Sequence, residues 1–319
     1  MILATLKNEN LDGYLISIDL VKNTYSYFQI KHITFQFLLD HWSARDKLLI
    51  IDKENSNMDL NTIPRSDFMA PLPRTYQWLD GSTYLNHVTL ARKSRGAEFP
   101  ESFKTEPLMY QGAGDNFLGP YDSIKGLDEQ WGIDLEAEIG VITDFVPQGI
   151  SAEDACEKCL FLIGINDISL RNLIPEELKK GFGFINGKPS TAFAPFAVSV
   201  DSLQDSFKNG VPSFKVNVLV NDKTLGCLST QLEMQFHFGK LISHAAKTRN
   251  LGAGTIIGSG TISNSIENGY ACLTEKRMDE KISSGEMTTP FLSSGDSIKI
   301  EFEDKNGAKC LGTIEQSIE

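Results

Sequence analysis

The segment GIDLEAEIGVI at residues 132–142 constrains the fold more than any other part of the chain. Its alternation is strict. Leu135, Ala137, Ile139 and Val141 fall on one face of an extended chain, and Asp134, Glu136 and Glu138 on the other. The segment therefore reads as a strand. Carboxylates two residues apart on a strand stand about 6 to 7 Å from each other, and at an effective dielectric near 20 they repel by about 2.5 kcal/mol. Two arrangements offset that repulsion: a solvated outer face with screening salt, or a divalent cation.

A third carboxylate bears on the choice. Asp167 ends the apolar run FLIGIN, where an acid is paired, functional or a turn cap. Carboxylates with no Cys or His pair at metal spacing suit a hard ion, Mg²⁺, Ca²⁺ or Mn²⁺, rather than zinc.

The 319 residues carry 30 basic and 42 acidic side chains, a net charge of −12, which disfavours a nucleic-acid partner. At 41% hydrophobic the chain has enough apolar surface for a sizeable core. The longest apolar run is far shorter than the roughly 20 residues of a membrane span, and no leader pattern is seen, so a cytoplasmic protein is expected. Five cysteines in a chain of this length are too sparse for a disulfide framework.

The organisation expected is α+β and β-dominated, with a small N-terminal β-rich domain over 1–73 and a larger domain over 74–319. Prolines 64, 71 and 73 mark the boundary. Short strands are expected within the first 30 residues and over 132–143, 194–200, 213–220, 255–262, 269–274 and 297–303. Helices are expected over 33–46, from Ser151 through the apolar region at 159–163, and over 233–248.

Among single residues, His87 lies in a polar, turn-like stretch with Asp80 upstream and Arg92, Lys93 and Arg95 downstream, a setting for a general base or for a surface histidine. Lys188 is a surface cation or one that faces the acidic cluster. His237 and His244 are too far apart on a helix to share a metal. Cys156 and Cys159 read as helix packing. The glycine-rich run at 252–260 departs from a dinucleotide-binding fingerprint and reads as a strand with tight turns.

Four motifs in the same order, DLEAEIGVI, INDISLRN, KPSTAFAPF and GSGTIS, resemble the fumarylacetoacetate hydrolase family over roughly residues 75–318. The resemblance implies that residues 74–319 form a metal-dependent catalytic domain, a β-roll or sandwich, with a homodimer and one Mg²⁺ or Ca²⁺ held by Glu136, Glu138 and Asp167. Carried over residue by residue, it also implies Asp80 as a fourth metal ligand, seven residues before a catalytic His87. Lys188 and Thr191 would lie near the metal, with Lys188 a catalytic cation that holds substrate carboxylates together with Arg95, and Thr261 and Tyr110 would touch the substrate. The chain departs from the acylpyruvase and decarboxylase branch at Leu90, where that branch has a glutamate, although Tyr84 matches. In the fumarylacetoacetase branch the histidine's acidic partner matches Leu273, so Glu275, two residues on along an expected strand face, is taken as the partner.

The activity implied is metal-dependent hydrolysis of a carbon–carbon bond in a small diketo acid such as fumarylacetoacetate, as in aromatic amino-acid catabolism. The alternatives are a hydratase, tautomerase or decarboxylase of the same family, or a non-enzymatic Ca²⁺-binding module.

Overall fold

The structure is a computed structural model, which describes residues 1–93, 98 and 100–319. Strands outnumber helices, as expected for a β-dominated α+β chain. Among the described residues the main sheet has eleven strands, ten along one path and Ala192–Phe193 off it beside Cys159–Asn166. Its path runs from Met58–Asp59 through Thr24–Ser26, Tyr14–Asp19, Ile2–Leu6, Ala197–Ser199, Cys159–Asn166, Ala137–Thr143, Ile256–Gly258 and Trp78–Gly81 to Met109–Gly112. The N-terminal strands thus continue the sheet of the larger unit, with Ile2 opposite Val198. A second sheet orders Lys223–Ser229, Phe214–Val220, Ser297–Asp304 and Thr313–Ser317, all antiparallel. The two sheets meet where a Cβ at Gly164 would come within 2.4 Å of the Phe302 ring, so the close approach requires glycine.

Three expectations need correction. Ser151 caps a helix, accepting from the Asp154 N–H at 3.0 Å, but the helix is only Ala152–Cys156. Cys159–Asn166 is instead a strand between Ala137–Thr143 and Ala197–Ser199. A central strand covered on both faces reads as a continuous apolar run, and such a run carries no period to distinguish it from a buried helix. The expected strand at 269–274 is absent. Gly269 makes an isolated bridge to Gly226, and Cys272 caps the helix Leu273–Ser284, which carries Glu275. The helix expected at 233–248 is shorter, Phe238–Ala245, with His237 at its N-cap.

The remaining elements fall near their expected places. Thr34 caps Phe35–Asp40, and its hydroxyl accepts from the Phe37 N–H at 3.2 Å. The glycine-rich run yields the strand Ile256–Gly258, flanked by turns at Gly254 and Gly260. Among the described residues no helix is long and apolar enough to cross a membrane.

Candidate metal centre and base pair

The acidic strand enters the site with a break. Ile133–Asp134 and Ala137–Thr143 are separate strands, and all three carboxylates lie buried, so the solvated-face arrangement does not hold. Asp134 turns away from the metal cluster. It accepts from the backbone N–H groups of Leu273 at 2.8 Å and Thr274 at 3.0 Å, at the start of helix Leu273–Ser284, and from Arg171 Nε at 2.8 Å.

Asp80, Glu138 and Asp167 are the acids that converge, each offering an oxygen within 4.8 Å of the others. Asp80 stands on strand Trp78–Gly81 beside Ile256–Gly258, and its Oδ1 accepts from the Gly260 N–H at 2.9 Å. A Cβ at Gly258 would sit 2.3 Å from that oxygen, so only glycine admits the aspartate. Asp167 follows the end of strand Cys159–Asn166. Its Oδ1 accepts from Thr191 Oγ1 at 2.8 Å, and Thr191 in turn accepts from the Trp78 indole at 3.1 Å.

Glu136, expected as a ligand, lies outside this trio. Its Oε1 accepts from Arg171 Nη2 at 2.7 Å, and its Oε2 from Lys188 Nζ at 2.5 Å. Lys188 also donates to Asp167 Oδ2 at 2.5 Å, so it links Glu136 to the trio. Arg171 escaped the sequence reading, although it stands inside the INDISLRN motif. The available signal was charge: buried acids in this number need more than one cation.

Electrostatics divides the cluster. Burial pushes the Glu136 carboxyl up, but Lys188 and Arg171 together hold it well below the usual carboxylate range. Burial, then the charges of Asp80 and Asp167, drive Glu138 well above it, and burial and Asp167 do the same to Asp80. Among the described residues both Glu138 oxygens are buried with no hydrogen-bond donor. Five buried carboxylates, Asp80, Asp134, Glu136, Glu138 and Asp167, face two cations, Lys188 and Arg171. This surplus of negative charge and the orphaned Glu138 oxygens fit a hard divalent cation, and the all-oxygen trio suits Mg²⁺, Ca²⁺ or Mn²⁺.

His87 projects from helix Leu85–Lys93, and its Nδ1 is 3.0 Å from Glu275 Oε1. Glu275 is fully buried, and its Oε2 accepts from the Ala271 N–H at 2.8 Å. It occupies a helix rather than the expected strand. The two residues meet because the helices pack together, and His87 is close enough to help pull the Glu136 carboxyl down.

Tyr110 donates its hydroxyl to Asp167 Oδ2, and its ring packs edge-on against Phe184 at 5.2 Å, under the Lys188 ammonium. That hydroxyl serves the acidic cluster. Burial and Asp167 push the phenol well above its ordinary range, which keeps it a donor. Thr261 is buried one residue after Gly260. Tyr84 donates to the Thr230 carbonyl at 2.6 Å, a core contact. Arg95 lies outside the described residues.

Comparison with known proteins follows this geometry. A family model described as "Fumarylacetoacetate (FAA) hydrolase C-terminal" matches residues 77–319, and one described as "Fumarylacetoacetase N-terminal domain 2" matches residues 1–74. The chain is similar to oxaloacetate tautomerase YisK of Bacillus subtilis, 26% identical over 254 residues, covering 78% of this chain and 72% of that protein. It is 25% identical over 208 residues to the mitochondrial oxaloacetate tautomerase Fahd2a of Rattus norvegicus, covering 63% of this chain and 61% of the relative. The solved structure of a fumarylacetoacetate hydrolase from psychrophilic Exiguobacterium antarcticum superposes with a TM-score of 0.66 at 17% identity, over 100% of this chain and 99% of that one, which shows a common fold.

Proposed function

The chain belongs to the fumarylacetoacetate hydrolase family, and we propose that it is a divalent-cation-dependent enzyme that interconverts the keto and enol forms of a 2-oxo dicarboxylate of the oxaloacetate type. The observation that carries this reading is the His87–Glu275 pair together with a buried, cation-hungry carboxylate trio, the two linked through Glu136, which feels the His87 charge and shares Lys188 with Asp167. A structural Ca²⁺ site has no use for an oriented imidazole.

Asp80, Glu138 and Asp167 would hold the divalent cation, which would supply Lewis acidity towards the 2-oxo group. The protein's own groups handle the proton. Glu275 fixes His87 with its proton on Nδ1, which leaves Nε2 as the base that takes a proton from substrate C3. The charge so released moves to the C2 oxygen, and His87 returns the proton there to complete the enol. Lys188, whose ammonium is locked by Glu136 and Asp167, keeps a positive charge beside the developing anion. Two curated relatives whose names specify oxaloacetate tautomerisation support this substrate class.

A second reading is hydrolysis of a β-diketo acid, and the same pair favours it, because a carboxylate-oriented imidazole also suits deprotonation of water. A panel assay with Mg²⁺ separates the two. Rapid loss of the enol absorbance of oxaloacetate without cleavage of acylpyruvates or fumarylacetoacetate supports tautomerisation, and cleavage products in the panel support hydrolysis. On the family resemblance we also propose a homodimer. Light scattering at micromolar concentration should give twice the 35.4 kDa chain mass, and the single-chain mass would contradict it.

A further inference from the structure

The base pair has a third neighbour that neither reading uses. Cys272 is the N-cap of helix Leu273–Ser284 and is fully buried, and its Sγ accepts from the Glu275 N–H at 3.4 Å. Its sulfur, a ring nitrogen of His87 and a carboxylate oxygen of Glu275 all lie within 4.8 Å of one another. Nitrogen, sulfur and one carboxylate form the donor set of zinc-class ions, whereas the neighbouring trio of Asp80, Glu138 and Asp167 offers oxygen alone. Two sites of opposite chemical preference therefore stand side by side. Sequence spacing hides the second, because His87 and Cys272 come from distant parts of the chain.

We propose that His87, Cys272 and Glu275 form a second cation site, selective for Zn²⁺ and Cd²⁺ over Mg²⁺, whose occupation switches off the base. The imidazole nitrogen that faces Glu275 is Nδ1. A zinc ion set among the three donors takes the place of the proton between Nδ1 and the carboxylate. The imidazole then carries its proton on Nε2, so the nitrogen directed at the substrate becomes a donor and can no longer accept a proton. The Cys272 thiol loses its proton to solvent as the zinc–sulfur bond forms, so one zinc enters and one proton leaves. Burial and the negative charges of Glu275 and Asp134 push the free Cys272 thiol well above its ordinary range, so it stays protonated until the zinc–sulfur bond forms. Entry is from the side of His87, whose side chain is 20% exposed while Glu275 is closed off.

The binding claim stands apart from the proposed reaction, and the inhibition rests on His87 acting as its base. The full chain, saturated with Mg²⁺, is titrated with Zn²⁺ by calorimetry and with Cd²⁺ by ultraviolet absorbance, in wild type and in Cys272→Ser and Cys272→Ala. Serine is itself a good helix N-cap, so the first substitution preserves the fold of the helix start. One Zn²⁺ per chain is expected, with at least tenfold weaker binding in both variants, and a cadmium–thiolate band in wild type that both variants lose. Turnover should fall on zinc addition in wild type and need at least tenfold more zinc in the variants. Unchanged zinc affinity in both variants overturns the site. So does zinc binding that weakens in proportion to added Mg²⁺, which would place the ion on the acidic trio. A cadmium–thiolate band that survives in the variants also overturns it, by assigning the ion to Cys156, 3.6 Å from His237. Cys272-dependent binding with turnover untouched overturns the switch and removes His87 as the base, while the site itself stands.

Discussion

His87 Nδ1 lies 3.0 Å from Glu275 Oε1, where helix Leu85–Lys93 packs against helix Leu273–Ser284. If Glu275 acts by orienting the imidazole, Glu275→Gln and His87→Ala should each lower kcat by about a hundredfold or more, and the double variant should lose little beyond His87→Ala alone. Steady-state kinetics on the four proteins measures the coupling. Additive losses would show that the two residues act separately.

Arg171 answers two buried acids at once, Asp134 at 2.8 Å and Glu136 at 2.7 Å. Removing it leaves Glu136 with Lys188 alone and Asp134 with two backbone N–H groups and no paired cation. Arg171→Met should cost about 3 to 5 kcal/mol, the usual range for breaking a buried pair from one side. Asp134 also holds the start of the helix that carries Glu275. Urea denaturation is the measurement, and a loss below 1 kcal/mol would mean that the two acids find other partners.

The acidic strand, the third acid and the lysine were legible in the sequence because each belongs to a short motif. Which acids converge was not, since the trio forms only when strand Trp78–Gly81 is laid beside Ile256–Gly258 and Gly258 leaves room for Asp80. Strict alternation suggested that Asp134, Glu136 and Glu138 share one environment. The interruption at Leu135 and Glu136 gives each acid a different neighbour instead. Cys159–Asn166 was misread because a strand buried on both faces has no polar alternation to show. Helix Leu273–Ser284 was missed because its N-cap is a cysteine, an unusual residue for that place.

Tyr270 lies just before that helix and donates its hydroxyl to Asp279 Oδ2 at 2.8 Å. Burial, then the hydrogen bond to Asp279, push its phenol up to about 12. A folded-state pKa raised above the unfolded value near ~10 gives stability that is complete below pH 10 and lost as pH rises towards 12. Tyr270→Phe should therefore flatten the decline of Tm across that window. Parallel curves for the two proteins would count against the contact.

The account turns on Asp80, Glu138 and Asp167 holding a divalent cation, and Glu138 is the sharpest probe because both its oxygens lack a donor among the described residues. Glu138→Gln replaces an acid whose ionised form burial, Asp80 and Asp167 all oppose, so the metal-free variant should be at least as stable as wild type. The deciding measurement is a thermal melt of wild type and Glu138→Gln, each with excess chelator and with saturating Mg²⁺. Wild type should gain several degrees on adding Mg²⁺ while the variant gains little. Equal gains in the two proteins, or none in wild type, would contradict the account.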